Sequence, residues 1–463
     1  MDSTIYALST PFGKSGVAII RITGSRAIDA AQLLKCTTHS RDRTLFRTKL
    51  FSPSDGTQLD DCMYVYFRAP NTFTGEDIVE LHTHGSIAVI NGILEELEKI
   101  PFLRKAERGE FTKLAFKNGK MSLSDVEALS ELLQAETSMQ RRAILAQMSG
   151  KLHKTYKRWR TTVVECMYKM EALIDFSSDE VPENELHYVE RIILELQNDM
   201  QEHYTHSNKC RTIFEGIKVL IIGSPNVGKS SIINLITNEE VAIVSEIPGT
   251  TRDIISVSKE INGIKYTFYD TAGFRENSSD TIEKLGMHRA IEYSTSVHII
   301  LIVIDATTNI EEQYQQIESK IPLENIEFLQ KVLLLYNKSD ISTTQECNID
   351  IIKAIKTRIK DHIEVHFIIF SAKTATGLSE LINALEKTYI EYDDLTLTSN
   401  LRQLDVIKHT LVKIKEYINL PVTYIDIKAH LIREVAKSLE LLIGEVDIEE
   451  ILDNIFHNFC IGK

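Results

Sequence analysis

Gly223-Ser-Pro-Asn-Val-Gly228-Lys229-Ser230 constrains this chain more than any other stretch of it. It matches G-x-x-x-x-G-K-[ST], follows the apolar run Lys218-Val-Leu-Ile-Ile222 and precedes a helical pattern at Ser231–Thr237. In a strand–loop–helix unit the glycines let backbone N–H groups turn inward on phosphate oxygens, and the helix N-terminus adds positive partial charge. Asn226, Val227, Gly228, Lys229, Ser230 and Ser231 are the expected nucleotide-contacting run. Lys229 suits the β- and γ-phosphates, and the Ser230 hydroxyl suits Mg2+.

Three further elements follow in order, each after an apolar strand pattern. Asp270-Thr271-Ala272-Gly273 fits an Asp-x-x-Gly element, with Asp270 beside Mg2+ and the Gly273 N–H near a γ-phosphate. Asn337-Lys338-Ser339-Asp340 offers a carboxylate, Asp340, to the adjacent N1–H and amine of guanine, a donor pair that adenine lacks. Ser371-Ala372-Lys373 backs the guanine carbonyl. Gly249-Thr250-Thr251-Arg252-Asp253 supplies a switch threonine, Thr251, as a second hydroxyl for Mg2+. The ordered set predicts a guanine-nucleotide site. Phe274 stands where Ras-like GTPases carry a water-orienting glutamine, so another group must orient water. Arg275, Glu276 and Glu283 are the charged candidates, with ordinary surface charges as the competing explanation.

At 463 residues the chain is too long for one core. Residues 1–118 mix strand patterns (Val17–Ile22, Cys62–Phe67) with a helical one (Gly85–Lys99) and predict an α+β domain. Residues 119–214 read as long helices, with Ser122 and Ser124 as candidate N-caps. Residues 215–385 alternate strands and helices, including a hairpin about Asn262-Gly263, and predict a mainly parallel sheet. Residues 386–463 are helical again. The expected architecture is therefore multidomain: an α+β N-terminal domain, a helical domain from two chain segments, and an inserted Ras-like P-loop α/β domain.

The net charge is −14, but residues 1–160 carry 23 Lys/Arg against 18 Asp/Glu, a net of +5, which leaves −19 elsewhere. Gln140 to Arg160 holds seven basic residues and no acid. Such a run is either a solvated helix face or a contact for a polyanion backbone. Six scattered cysteines without a CxxC pair argue against a disulfide framework or zinc site. No apolar run is long enough for a membrane span, and Met1-Asp2-Ser3-Thr4 lacks a signal-peptide pattern, so a cytoplasmic location is expected. His82 and His84 form a weak candidate metal pair, and Cys460-Ile-Gly-Lys463 fits prenylation poorly.

Motifs at both ends narrow the field. Thr4-Ile-Tyr-Ala-Leu-Ser-Thr-Pro-Phe-Gly13, Gly16-Val-Ala-Ile-Ile-Arg21-Ile-Thr-Gly24, Thr72-Phe-Thr-Gly75-Glu-Asp-Ile-Val-Glu80-Leu-His82-Thr-His84-Gly85, Arg108-Gly-Glu-Phe111 to Lys120, Ile174-Asp-Phe176 and Phe459-Cys-Ile-Gly-Lys463 resemble the MnmE (TrmE) family of tRNA-modification GTPases along essentially the whole chain. The resemblance implies a folate-binding N-terminal domain that dimerises the protein, and G domains that pair across their nucleotides with K+. It implies K+ ligands at Asn226, Ser245, Ile247 and Thr250, and a water-orienting glutamate at Glu283, with Glu276 as fallback because one extra residue intervenes. It implies a 5-formyl- or methylene-tetrahydrofolate site at Arg21, Glu80, Lys120 and Lys463; read without it, Arg21 and Glu80 also suit a structural ion pair. The implied partners are a second copy of the chain, the flavoprotein MnmG in a heterotetramer, and tRNA modified at C5 of the wobble uridine. Ribosome-assembly GTPases of the Era or Der type and signalling GTPases are the competing classes; neither needs both chain ends.

Overall fold

A computed structural model describes residues 4–36, 42–175, 184–209, 211–238, 242–243, 256–270, 297–318, 329–341, 353, 355–357, 363–386, 398–444, 459 and 462. The chain divides into two compact units, one made of Met1–Gln134, Ile144–Thr205 and Asn400–Lys463, the other of Ala135–Ala143 and His206–Ser399. Ala135–Ala143, which composition groups with the helical stretch, thus packs with the second unit.

The first unit opens with a six-stranded sheet: β1 (Thr4–Leu8), β2 (Ser15–Thr23), β3 (Phe46–Phe51), β4 (Gln58–Phe67), β5 (Ile78–Gly85) and β6 (Leu103–Lys105), in the order β3-β4-β5-β2-β1-β6. Alternation along β2 buries Ala18, Ile20 and Ile22 on one face and turns Arg21 to the other. The buried face packs Ile20, Ile22, Tyr64 and Leu81 against Ile93 and Leu97 of the helix Ile87–Glu98. Arg21 is the register partner of Glu80 on β5, so the two charges meet across adjacent strands.

The helices Lys151–Asp175, Asn184–Lys209, Leu401–Asn419 and Ile425–Ile443 share one core. Helical spacing places Trp159, Val163, Cys166 and Met170 on one face, against Ile407, Leu411, Ile432 and Leu439 from the far end of the chain. Asn400 caps its helix by accepting N–H bonds from Arg402 and Gln403, and Gly444 ends the last helix with φ +84°. Glu127, nearly fully buried, accepts Arg402 Nε at 2.7 Å and Nη2 at 3.0 Å and ties the helix Leu123–Gln134 to Leu401–Asn419. Of the two candidate caps, Ser122 serves: its Oγ accepts the Asp125 N–H at 3.2 Å while Asp125 accepts the Ser122 N–H at 3.0 Å. Ser124 is buried as the second residue of the helix and is not a cap.

The second unit carries a seven-stranded sheet: β7 (Ile217–Ile222), β8 (Ala242–Ile243), β9 (Ser256–Ile261), β10 (Ile264–Asp270), β11 (Ile299–Asp305), β12 (Lys331–Asn337) and β13 (Glu364–Ile369). Its order is β13-β12-β11-β7-β10-β9-β8, parallel from β13 to β10 and antiparallel beyond. Every residue of β11 and β12 is buried, as expected of central parallel strands covered on both faces. One apolar layer packs on Lys229–Asn238 and Leu378–Glu386; a second forms on the other face. The β9–β10 turn places Asn262 at φ +48° and Gly263 at φ +86°, the two left-handed residues of a type I′ hairpin.

Candidate nucleotide and folate sites

The loops at the C-terminal ends of β7, β10, β12 and β13 carry the predicted nucleotide residues, the usual ligand edge of a parallel sheet. The first is the Gly223–Ser230 loop between β7 and the helix Lys229–Asn238. Asn226 and Gly228 hold its tight corners at φ +62° and +101°. A Cβ on Gly223 would stand 2.4 Å from the Val303 carbonyl, and one on Gly228 would stand 2.3 Å from Asn337 Nδ2, so close backbone approach requires glycine at both positions. Lys229 is 5% exposed, and its ammonium donates to the carbonyls of Gly223 at 2.7 Å and Ser224 at 2.9 Å. It is thereby held over the concave side of the loop.

Asn337 joins three of these loops. It is 2% exposed; its Nδ2 donates to the Val227 carbonyl at 2.7 Å, and its Oδ1 accepts the Ala372 N–H at 3.0 Å. Ser371 Oγ donates to Asp340 Oδ1 at 2.7 Å and orients that exposed carboxylate. Lys373 is exposed on the turn that follows.

Sequence inspection did not single out Asp305, at the end of β11. Lys338 donates its ammonium to Asp305 Oδ2, and Thr307 donates its hydroxyl and N–H to Oδ1 at 2.6 and 2.9 Å. Burial works against the Asp305 charge, yet the Lys338 and Thr307 bonds outweigh it and hold the carboxyl below the usual range. An acidic residue closing an otherwise apolar strand was the available signal.

Ser230 and Ser231 are exposed in the first turn of their helix. The backbone of Asp270 ends β10 beside Ile221 of β7, one strand from the phosphate loop. Ser245, Ile247, Thr250, Thr251, Thr271, Ala272, Gly273 and Glu283 lie outside the described residues, as do Phe274, Arg275, Glu276 and the side chain of Asp270.

The second candidate site lies on the N-terminal sheet. Arg21 donates Nε to Glu80 Oε1 at 2.8 Å and Nη1 to the Gly462 carbonyl at 3.4 Å. Ser9 Oγ donates to the same carbonyl at 3.1 Å, and a Cβ on Gly462 would stand 2.4 Å from the Leu8 carbonyl. Ser9 lies within the Thr4–Gly13 motif, but sequence reasoning gave it no role. Two residues along β2, Thr23 Oγ1 meets Thr74 Oγ1 at 2.8 Å; the adjacent Gly75, at φ +83°, lies against the stem of Lys120. Arg21 and Glu80 thus pair across β2 and β5, while Lys120 packs its stem against Gly75. Lys463 and Cys460 lie outside the described residues.

His82 Nε2 meets Glu80 Oε2 at 3.3 Å, while His84 Nδ1 meets Asp60 Oδ1 at 2.7 Å, a bond that raises the His84 pKa. No group of three or more metal ligands occurs among the described residues, and none of their helices is long and apolar enough to cross a membrane.

A phosphate loop welded by a buried asparagine to an Asn-Lys-x-Asp loop and a Ser-Ala-Lys loop defines a P-loop GTPase. Family models identify which kind. The model for the MnmE helical domain matches residues 123–460, and that for the GTP-binding protein TrmE N-terminus matches residues 4–120. A relative named "tRNA modification GTPase MnmE" from Rickettsia bellii (strain RML369-C) is 35% identical over 462 residues, 99% of this chain and 100% of the relative. The protein of the same name from Rickettsia canadensis (strain McKiel) is 34% identical over 467 residues, with the same coverage. The chain belongs to the tRNA modification GTPase MnmE family. Among solved structures, the G domain of the T. maritima FeoB iron transporter aligns with 37% of this chain and 97% of its own at 22% identity, but its TM-score of 0.27 carries no argument.

Proposed function

We propose that this chain is a K+-activated GTPase that acts with the flavoprotein MnmG in the cytoplasm, installing an aminomethyl or carboxymethylaminomethyl group at C5 of the wobble uridine of certain tRNAs. Its one-carbon unit comes from a 5-formyl- or methylene-tetrahydrofolate, and it works as a homodimer that joins MnmG in a heterotetramer. The carrying observation is Arg21, which reaches both Glu80 and the Gly462 carbonyl and so brings together motifs from the two chain ends. A plain switch GTPase has no need of that assembly.

In this reading Lys229 neutralises phosphate charge and Asp340 reads the guanine edge, with Asn337 holding both loops in place. Mg2+ would be held by Ser230 and Thr251 beside Asp270, and K+ by Asn226, Ser245, Ile247 and Thr250; both ions would supply positive charge against phosphate oxygens as the γ-phosphoryl group transfers. Glu283 orients the attacking water indirectly, the task Phe274 cannot perform. Lys151, Lys154 and Lys157 are exposed along one helix, while Arg158 and Arg160 are already paired with Asp199 and Glu440; the lysines are the charges available to tRNA phosphates.

The direct experiment is reconstitution with MnmG, its FAD and NADH, tRNA, GTP, Mg2+, K+, methylene-tetrahydrofolate and either ammonium or glycine as the nitrogen donor, followed by nucleoside analysis. The modified uridine should appear only in the complete mixture. GTP turnover should be at least about tenfold faster in K+ than in matched Na+, a barrier difference of ~1.4 kcal/mol. Equal rates in the two salts would remove K+ activation, and unmodified tRNA in the complete mixture would remove the proposed role.

Arg21→Ala and Lys120→Ala test the folate site separately. Each removes a charge-assisted bond, so each should weaken folate binding by about tenfold or more in calorimetry. GTP turnover by the same variants should stay near that of the parent. Unchanged folate affinity would make Arg21–Glu80 a purely structural pair.

A further inference from the structure

The helix Glu110–Lys117 is fixed at both ends to the part of the N-terminal sheet that carries Arg21. Its second residue, Phe111, is buried with the centre of its ring 5.8 Å from the Arg21 guanidinium carbon. Just past the last turn, Asn118 Nδ2 donates to the Thr74 carbonyl at 2.7 Å, and Thr74 Oγ1 meets Thr23 Oγ1, two residues beyond Arg21 on β2. Gly119, at φ +67°, closes the helix: its N–H donates to the Phe116 carbonyl at 3.0 Å, and the Lys120 N–H donates to the Ala115 carbonyl at 2.8 Å. That turn brings the Lys120 stem onto Gly75.

The face this helix shows to solvent is basic. Phe111, Thr112 and Ala115 take the inner side; Lys113 is half-buried, and Lys117 and Lys120 are exposed. Lys113 and Lys117 stand four residues apart, so their Cβ atoms are neighbours about 5–6 Å apart on one face. Lys120 follows three residues on, at the closing turn. The acid of the first turn, Glu110, is already engaged: it accepts Arg104 Nη1 at 2.9 Å and the Glu107 N–H at 2.8 Å, with Lys113 a weaker neighbour. The three ammonium groups form a short row that starts two residues after the ring beside Arg21.

A row of cations at this spacing suits carboxylates that repeat at the same step. Folate with a single terminal glutamate carries its carboxylates on one residue. A γ-linked glutamate tail instead presents a free α-carboxylate every five backbone bonds, about 6 Å when extended. We propose that this chain takes poly-γ-glutamylated folate in preference to the monoglutamate, with the tail carboxylates on Lys113, Lys117 and Lys120. The inference rests on the folate reading above. A pterin held at Arg21 and Glu80 makes every tail contact intramolecular, so ion pairs that are weak singly act at high effective concentration. A tRNA backbone meeting the same row has no such tether, and three cations release few of its counterions.

The test is calorimetry on the full-length protein with 5-formyl-tetrahydrofolate carrying one or five glutamates. Each exposed pair is worth about two- to threefold in affinity, so the pentaglutamate should bind about tenfold tighter at low salt, and the advantage should largely vanish at about 0.5 M salt. Lys117→Gln should cut the advantage by about half, and Lys117→Arg, which keeps the charge, should preserve it. The double variant Lys113→Gln/Lys117→Gln should bind the two forms within about twofold of each other, at the parent's monoglutamate affinity, with GTP turnover and melting temperature unchanged. Equal affinity for the two forms in the parent, or an advantage of full size in the double variant, overturns the proposal and leaves the folate site standing. Failure of both forms to bind the parent overturns the folate reading and the proposal with it. Filter binding of tRNA by the same variants separates the two polyanions: a double variant that loses tRNA affinity yet keeps the glutamate preference gives the row to nucleic acid.

Discussion

Asp340→Asn should lower GTP affinity on the order of a hundredfold, and xanthosine triphosphate should become the better ligand. The carboxylate offers acceptors to two adjacent donors of guanine; an amide replaces one acceptor with a donor and removes the charge. Charge-assisted bonds contribute about 1.5–3 kcal/mol each, so losing the pair costs near 3 kcal/mol, or about two decades in affinity. Xanthine presents a carbonyl where guanine has its amine and so accepts from the new amide. The structure makes the substitution clean: Ser371 Oγ donates to Asp340 Oδ1 at 2.7 Å, and an asparagine oxygen can accept the same bond and keep its orientation. Parallel calorimetry with the two nucleotides decides the matter. Unchanged GTP affinity would place the base elsewhere.

The second large effect is expected at Asn337. Truncation to alanine orphans the Val227 carbonyl and the Ala372 N–H together, both now bonded to a side chain that is 2% exposed. Each unsatisfied buried group costs about 1–3 kcal/mol, so the variant should lose about 2–6 kcal/mol. For a unit of this size that corresponds to a fall in the melting temperature of very roughly 5–20 °C. Nucleotide binding should suffer as well, because the phosphate loop and the guanine loops lose their common anchor. Thermal melts with and without GDP read both effects. A melt superimposable on the parent's would show that Asn337 anchors nothing.

Local patterns made much of this legible in advance. Runs such as His298–Ile304 and Val332–Tyr336 read as strands because nearly every residue is apolar, and they fall within β11 and β12 to within a residue; the phosphate loop announced itself because few residues other than glycine fit its close approaches. The cap at Ser122 was ambiguous with Ser124 until the carboxylate three residues on, Asp125, could be seen closing the box. What stayed hidden was long-range polar pairing. Lys338 meets Asp305 across 33 positions, Ser138 meets Glu260 across 122, and Ser9 meets the Gly462 carbonyl across 453. Such pairs leave no periodic trace, since one polar residue on a surface looks like any other until the backbone brings its partner near. The boundary at residues 135–143 was missed for the same reason: a helical pattern reports that a segment is a helix, not which neighbours its first turn keeps.

The split core of the four-helix region sets a schedule for synthesis. Trp159, Val163, Cys166 and Met170 bury their faces against Ile407, Leu411, Ile432 and Leu439, and all of residues 206–399 must leave the ribosome in between. At about 5–20 residues per second the interval is roughly 10–40 s. The nucleotide unit can fold meanwhile, since all but its nine residues Ala135–Ala143 fall within that interval. The early helices have no such outlet: their apolar faces wait for the segment Asn400–Lys463 at the end of the chain. Nascent chains stalled before residue 400 should therefore be the aggregation-prone, chaperone-bound species of this protein, even while their nucleotide pocket is already able to close.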